Sequence, residues 1–524
     1  MAGLKLKNIF KTYENGRAAL TDFDLEVANG EFVVLSGPPG CGKSTVLKLI
    51  AGLEEVSSGA LLINDSPASG GAEERDIAMV FQHFELLPKL SVRENLAYGL
   101  KLRGQAASEI DARIAEAVAV LRLETILNEK PKSLTEEQRR RVALGRVIVR
   151  RPAVFLLDEP LADLTGKARV ELWSEIIKLH RRVGTTFIYA TSNQAEAMSL
   201  GARLIVMNNG TVAQADVPQS VYDNPANLFT ASFLGEPQMN FFKALLTRED
   251  GKMYASFGKN KILIPVARAR RLFDEAYIGK EVMLGVRPED LHDEEVFVSS
   301  SPGTVIDAFV DTVERLGNET ILYLKIDGKP DYVVARVNPR NKSLVGDAVR
   351  LALDGNRLHF FDSESGFSIA GIPQSNRIFA ELICKEGNAS VRFGDTMIVL
   401  NTALTRQLSQ VKEGSTDVRF EIDPDSLTEK KAFDAAQLRR LQNGDPLDED
   451  EYFEVKGVLE FTEKHPLFTA AFVLVAGKRG AIVVKLPPET VLGGGDPICL
   501  LGKLSKIRLY EIETGNRLFA STPS

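Results

Sequence analysis

One glycine-rich stretch limits what this chain can fold into more than any other feature. Gly37-Pro38-Pro39-Gly40-Cys41-Gly42-Lys43-Ser44-Thr45 fits the phosphate-loop pattern G-x-x-x-x-G-K-[ST] in full. An apolar run, Phe32-Val33-Val34-Leu35, precedes it, and Val46-Leu47-Lys48-Leu49-Ile50 follows with a helical texture. Strand, glycine turn and helix N-terminus is the context the pattern requires. Gly37, Gly40 and Gly42 let backbone N–H groups close around phosphate oxygens, and Cys41 is small enough to sit among them. The helix N-terminus adds partial positive charge. Lys43 is expected to reach the β/γ-phosphates and Ser44 to ligate Mg²⁺, with Pro38 and Thr45 completing the cradle. The expected ligand is a nucleoside triphosphate with its magnesium ion.

At 524 residues the chain is too long for one core, which predicts two to four domains. Its 44% hydrophobic and 26% charged residues place it among ordinary soluble globular proteins. The formal net charge of −7 argues against nucleic acid as the main partner. No run approaches the roughly 18 apolar residues of a membrane span. Met1-Ala2-Gly3-Leu4-Lys5-Leu6-Lys7 alternates like a strand and lacks a signal-peptide core. Cys41, Cys384 and Cys499 lie far apart, which suggests a reducing compartment and no disulfide framework. These features predict a cytoplasmic protein that docks on a membrane through another chain.

Residues 1–235 alternate strand-like and helix-like runs, as in an α/β nucleotide domain. Val154-Phe155-Leu156-Leu157 reads as a buried strand ending in Asp158-Glu159-Pro160, and Thr185–Thr191 reads as another. Between about 105 and 150 the period is helical, as in Ile110, Ile114, Val118 and Leu121. Beyond about residue 240 the texture changes to short β runs between turns, and an internal repeat emerges. Val282–Leu291 lines up with Val418–Leu427, Arg357–Asp362 with Lys506–Glu511, and Phe242–Leu246 with Phe379–Ile383. Glu364-Ser365-Gly366 and Glu513-Thr514-Gly515 make similar turns after the second pair. Converging barrel turns are the simpler explanation, but three matches in order favour duplication. The expected domains are 1–235, 240–366 and 376–524, with a charged insertion at Thr428–Asp450 in the second copy.

Residues 1–235 resemble the ATPase subunit of an ABC importer. The strings that carry this are Arg75-Asp76-Ile77-Ala78-Met79-Val80-Phe81-Gln82 and Val154-Phe155-Leu156-Leu157-Asp158-Glu159-Pro160-Leu161. Pro225–Phe229, Gly235–Phe241 and Gly285–Leu291 extend the resemblance into the carbohydrate-importer branch, with the maltose and glycerol-phosphate transport ATPases. It implies an ABC nucleotide-binding domain of the α/β P-loop class, followed by two tandem small β-barrel (OB-like) regulatory modules. It also implies ATP and Mg²⁺ as ligands. Asp158 and Gln82 would contact the metal, Glu159 and Gln82 the attacking water, and Tyr13 would stack on adenine. One carboxylate beside the metal and one beside the water suits phosphoryl transfer, which needs positioning and charge neutralisation. His83–Pro88 lies where such ATPases contact membrane-spanning permease subunits. The implied partners are those permeases, a second ATP-binding subunit and, indirectly, an extracytoplasmic solute-binding protein. The implied location is the inner face of the cell membrane.

The chain departs from that family in three places. The family's Leu-Ser-Gly-Gly-Gln signature, which faces the other subunit's ATP, is here Leu134-Thr135-Glu136-Glu137-Gln138. At about 5 Å and an effective dielectric near 20, each unit-charge pair against the phosphates costs about 3 kcal/mol. Thr135 and Gln138 also spell a capping box, which keeps the helix but not the phosphate contact. Ser192-Asn193 replaces the family's His-Asp, and a hydroxyl is shorter and carries no positive charge. Thr165 stands where the dimer-contact loop has an aspartate. The expectation is a subunit that binds ATP but hydrolyses it poorly as a homodimer. A fully active transport ATPase and a non-transport ATP-switched protein are the alternatives. For the extra β copy, an enlarged dimer contact and a regulator-docking platform both stay open.

Overall fold

The computed structural model describes residues 3–524 except 69, 72–74, 82–85, 163, 202, 270–276, 370–375, 386, 409–413, 432–451, 465–467, 479–480, 513–517 and 519–524. The chain divides into two compact units, Met1–Asp223 with Phe233–Gly235, and Asn224–Ser232 with Glu236–Ser524.

The first unit begins with β1 (Leu4–Thr12) and β2 (Ala18–Val27), which pair antiparallel. With β4 (Ser58–Ile63) and β5 (Ser66–Pro67) they form a four-stranded sheet in the order β2-β1-β4-β5. The central sheet holds β3 (Phe32–Ser36), β6 (Ile77–Val80), β7 (Val154–Asp158), β8 (Thr186–Thr191), β9 (Arg203–Asn208) and β10 (Thr211–Asp216). Its order is β10-β9-β3-β8-β7-β6, parallel except for β10. Every residue of β3, β7 and β8 is buried, because helices cover both faces of a parallel sheet. The phosphate loop leads from β3 into α1 (Lys43–Ala51). Three further helices, α2 (Val92–Leu102), α3 (Ala107–Leu121) and α4 (Glu136–Ile148), pack on one another. The helical period read between 105 and 150 is thus two helices, broken by short turns at Glu124–Ile126 and Pro131–Ser133. α5 (Gly166–Val183), α6 (Gln194–Leu200) and α7 (Pro218–Asp223) complete the unit, and α8 (Leu228–Phe233) follows.

The second unit contains one β module twice. In the first copy, β11 (Asn240–Glu249), β12 (Lys252–Phe257), β13 (Asn260–Ile264), β14 (Glu281–Val286) and, returning late, β20 (His359–Asp362) form one sheet. The other sheet holds β15 (Leu291–His292), β16 (Val305–Arg315), β17 (Thr320–Ile326), β18 (Lys329–Val337) and β19 (Ala348–Leu353). The second copy repeats this strand for strand. β21 (Asn376–Lys385), β22 (Asn388–Phe393), β23 (Thr396–Val399), β24 (Gly414–Ile422) and β30 (Arg508–Glu511) make its first sheet. β25 (Leu427–Glu429), β26 (Tyr452–Lys464), β27 (Thr469–Leu474), β28 (Ile482–Leu486) and β29 (Pro497–Lys503) make its second. The strand orders β13-β12-β11-β14-β20 and β15-β19-β16-β17-β18 recur as β23-β22-β21-β24-β30 and β25-β29-β26-β27-β28. Because Ala244 pairs with Val282 as Ala380 does with Val418, Phe242 matches Ile378, and the sequence match of Phe242 to Phe379 is one residue out.

Each copy buries its own apolar core, one around Phe242, Leu284 and Phe360, the other around Ile378, Phe420 and Leu509. A side-chain clamp repeats too. Asn240 donates Nδ2 to the Val334 carbonyl at 2.8 Å and accepts from the Val334 N–H at 2.8 Å, joining the module's two sheets. Asn376 does the same with Val483, at 2.7 Å for both bonds. Most of the anticipated insertion, 432–450, and the turn Glu513-Thr514-Gly515 lie outside the described residues.

Candidate nucleotide site

The loop after β3 is held to one shape by crowding and by hydrogen bonds. A Cβ on Gly37 would stand 2.4 Å from the Met207 carbonyl oxygen, so no larger residue fits. Gly42 has φ 110°, a region that side-chain-bearing residues avoid. Gly210 N–H donates to the Cys41 carbonyl at 3.0 Å, and the Arg17 guanidinium donates to the Gly40 carbonyl at 3.2 Å. Cys41 is buried, which pushes its thiol pKa up and leaves it neutral. Val46 N–H makes the first helical bond of α1, to Gly42, so the amides of the preceding residues belong to the unsatisfied first turn. Those amides form the anion-binding end of the helix.

The Lys43 ammonium is buried and donates to the Gly37 and Pro38 carbonyls at 2.7 and 3.2 Å. Ser44 donates its hydroxyl to Asp158 Oδ1 at 3.1 Å, which links the loop to the end of β7. Burial pushes the Asp158 carboxyl up, and the Ser44 hydrogen bond pulls it partly back. A divalent cation would relieve that desolvation. No cluster of three or more His, Cys, Asp or Glu side chains suits a metal among the described residues. A hydroxyl and one carboxylate instead fit Mg²⁺, which takes few protein ligands and shares phosphate oxygens. Tyr13 is half-buried, with its hydroxyl 3.3 Å from Thr45 Oγ1 and the Lys11 ammonium 5.0 Å from its ring centroid. Gln82, expected at the metal and the water, lies outside the described residues, as do His83, Phe84 and Glu85.

Glu159 adopts φ 44°, in the left-handed region, and its N–H donates to the Ala190 carbonyl at 2.9 Å. Ser192, at the position of the resemblance's missing histidine, donates its hydroxyl to Glu159 Oε2 at 3.3 Å. Asn193 caps α6 by accepting from the Glu196 N–H at 2.9 Å. Glu196 was not singled out from the sequence, yet it anchors this turn. Its buried carboxylate accepts from the Tyr189 and Thr191 hydroxyls at 2.8 and 2.7 Å and from Arg169 Nε at 2.7 Å. The only sequence hint was an acid flanked by alanines on a short helix.

The signature-like segment forms the capping box read from sequence. Gln138 N–H donates to Thr135 Oγ1 at 3.2 Å, and Thr135 N–H donates to Gln138 Oε1 at 2.9 Å. The two glutamates have different surroundings. Glu137 turns back along α4 to Arg141 Nη2 at 2.9 Å. Arg141 is buried and also grips Glu175 Oε1 on α5 at 3.0 Å. Glu136 keeps 55% of its side chain exposed and lies 3.8 Å from Arg139. Thr165 precedes α5 in extended conformation and makes no side-chain cap. Asn95, buried on α2, accepts from the Leu87 N–H and donates to the Leu87, Leu90 and Ser91 carbonyls. That fixes the described end of the segment expected to meet a permease.

Three family profiles match in chain order: ABC transporter over residues 20–162, MalK OB fold domain over 235–291, and TOBE domain over 284–361. The oligosaccharides import ATP-binding protein MsmX of Bacillus subtilis is 45% identical over 366 residues, covering 70% of this chain and 99% of MsmX. The chain belongs to the ATP-binding subunits of ABC importers. Two further relatives in this importer family are similar over the same share of the chain. The trehalose/maltose import ATP-binding protein MalK of Thermococcus litoralis is 42% identical over 377 residues, covering 70% of this chain and all of MalK (100%). The sn-glycerol-3-phosphate import ATP-binding protein UgpC of Burkholderia cenocepacia is 44% identical over 368 residues, covering 70% and 99%. Importer ATP-binding subunits dimerise and pair with membrane permeases. Among the described residues of this subunit, no helix is long and apolar enough to cross a membrane.

Proposed function

We propose that this subunit binds ATP·Mg²⁺ for an importer of sugars, polyols or glycerol phosphates, and hydrolyses it poorly when paired with itself. The relatives' import of oligosaccharides, trehalose/maltose and sn-glycerol-3-phosphate supports the substrate class. One contrast carries the rest of the reading. The loop, Lys43, and Ser44 beside Asp158 support the part of the reading in which one chain holds the nucleotide. The groups that would handle the γ-phosphate are replaced, by Ser192 in the α6 turn and by Glu136-Glu137 at the start of α4.

Bound ATP·Mg²⁺ supplies the phosphoryl group and the charge that activates it. Lys43 would neutralise phosphate oxygens, Ser44 and Asp158 would hold the magnesium ion, and Glu159 would orient the attacking water. Ser192 donates to Glu159 rather than to a phosphate, which removes one preorganised donor. Such a loss costs about 3 kcal/mol in the transition state. At the facing signature, Glu137 is drawn along α4 to Arg141 at 2.9 Å, whereas the more exposed Glu136 has Arg139 only at 3.8 Å, so Glu136 carries the larger share of the repulsion. The subunit then serves either beside a competent ATP-binding partner or as a regulatory chain at the inner membrane surface, with the solute-binding protein contacted only through the permease. Titration of the purified chain with ATP, alongside steady-state turnover, tests this. Micromolar binding with little turnover is expected. Turnover equal to that of an intact relative and abolished by Lys43→Ala would contradict it and favour a fully active transport ATPase.

A further inference from the structure

Tyr13 and Arg17 close the turn between β1 and β2, and both reach the phosphate loop. Tyr13 N–H donates to the Arg17 carbonyl at 3.0 Å, and Gly16 N–H donates to the Tyr13 carbonyl at 2.9 Å. The Asn15 side chain accepts from the Arg17 N–H at 3.1 Å, which fixes where the arginine leaves the turn. The Tyr13 hydroxyl lies 3.3 Å from Thr45 Oγ1, in the first turn of α1. Arg17 Nη2 donates to the Gly40 carbonyl at 3.2 Å, and a Cβ on Gly40 would stand 3.3 Å from the same nitrogen. The glycine leaves room for the guanidinium against the middle of the loop. One short turn thus carries an aromatic ring to the end of the loop and a cation to its middle.

Nothing described in the fold neutralises that cation. Arg17 is exposed, and among the described residues no carboxylate lies within ion-pair distance of it. A guanidinium has five N–H donors, and the bond to Gly40 leaves most of the fork open. The loop itself is short of donors before Gly40, because Pro38 and Pro39 carry no N–H. The Gly37 and Pro38 carbonyls are turned to Lys43, the cation expected at the β- and γ-phosphates. A nucleotide with its base on Tyr13 and its β-phosphate in the loop carries its α-phosphate between them. That path begins at one end of the Tyr13–Arg17 turn, so the guanidinium at the other end faces its α/β part. A planar fork of this kind takes two phosphate oxygens at once.

We propose, on the reading that this site holds an adenine nucleotide, that Arg17 is its second phosphate-binding cation and grips the α- and β-phosphates. ADP keeps the whole of that contact, so loss of the γ-phosphate does not release it.

The test is calorimetric titration of the full-length chain with ADP·Mg²⁺ and with ATP·Mg²⁺. Arg17→Gln keeps a donor for the Gly40 carbonyl and removes the charge. Both dissociation constants are expected to rise by the same factor, about tenfold, and Arg17→Lys to recover part of the loss. Added salt should weaken nucleotide binding more in the wild type than in Arg17→Gln. Wild-type affinity in Arg17→Gln would make the guanidinium a mere brace for the loop and overturn the proposal. A loss confined to ATP would place it at the γ-phosphate and overturn the proposal equally. A wild-type chain that binds neither nucleotide would refute the nucleotide site itself, whereas one that binds both and ignores Arg17→Gln refutes this assignment alone.

Discussion

The Ser192 hydroxyl donates to Glu159 Oε2 at 3.3 Å, so the side chain at the position of the family's histidine is spent on the carboxylate proposed to orient the attacking water. Restoring a longer, basic donor there should raise the chemical step without changing ATP affinity. Ser192→His alone will be limited by the facing signature. Combined with Glu136→Gly it is expected to raise the single-turnover rate tenfold or more, consistent with about 1.4 kcal/mol per factor of ten. Glu137→Gly should help less than Glu136→Gly, because Glu137 is drawn aside to Arg141 at 2.9 Å. Rapid-quench measurement of the four variants decides this, and equal gains from the two glycines would refute the distinction.

Arg141 holds α4 and α5 together through Glu175 and fastens Glu137 as well. Burial pushes the Glu175 carboxyl up, and Arg141 opposes that shift. Arg141→Met should leave Glu175 buried without its main counter-charge and destabilise the first unit by about 3–5 kcal/mol. Arg141→Met with Glu175→Leu should recover most of that loss. Urea unfolding monitored at Trp173, on the same helix as Glu175, reads it.

Asp290, at the foot of the first β module, is buried and its pKa is pushed up to about 7, chiefly by desolvation and then by Glu289. The folded state therefore binds a proton that the unfolded state releases from about pH 4 upward. Stability from this group is fully present below about pH 4 and is lost as the pH climbs through about 7, at up to about 1.4 kcal/mol per unit. Asp290→Asn should flatten that slope and stabilise the module above pH 7. Unfolding curves from pH 5 to 8 on both proteins check the sign.

The clamps at Asn240 and Asn376 make the same bonds in the two copies. Replacing either by alanine leaves a buried N–H and carbonyl unpaired, at about 1–3 kcal/mol. Hydrogen exchange should locate the loosening around Val334 for Asn240→Ala and around Val483 for Asn376→Ala.

What the sequence revealed and what it hid follow from range along the chain. The phosphate loop is contiguous, so its residues announce both its shape and its ligand. The capping box at Thr135 and Gln138 is equally local and formed as read. The duplication was legible because Val282–Leu291 and Val418–Leu427 keep one order of apolar and turn residues. The Glu137–Arg141 pair was within reach, as acid and base stand four apart on one helix. Its extension to Glu175 was not, since that contact exists only once α5 packs on α4. The bond from Ser192 to Glu159 joins two strand ends that only the sheet brings together. For the same reason the sequence suggested two equal negative charges at the signature, where the fold ties Glu137 to Arg141 at 2.9 Å and leaves Glu136 more exposed, with Arg139 at 3.8 Å.

The central claim is that nucleotide binding persists while hydrolysis is impaired. Single-turnover hydrolysis of ATP·Mg²⁺ by excess purified chain, with Lys43→Ala as control, tests it most directly. Saturable binding that Lys43→Ala abolishes, with hydrolysis at least a hundredfold below an intact importer subunit, is the predicted result. Rapid hydrolysis dependent on Lys43 would contradict the account and make this a working transport ATPase.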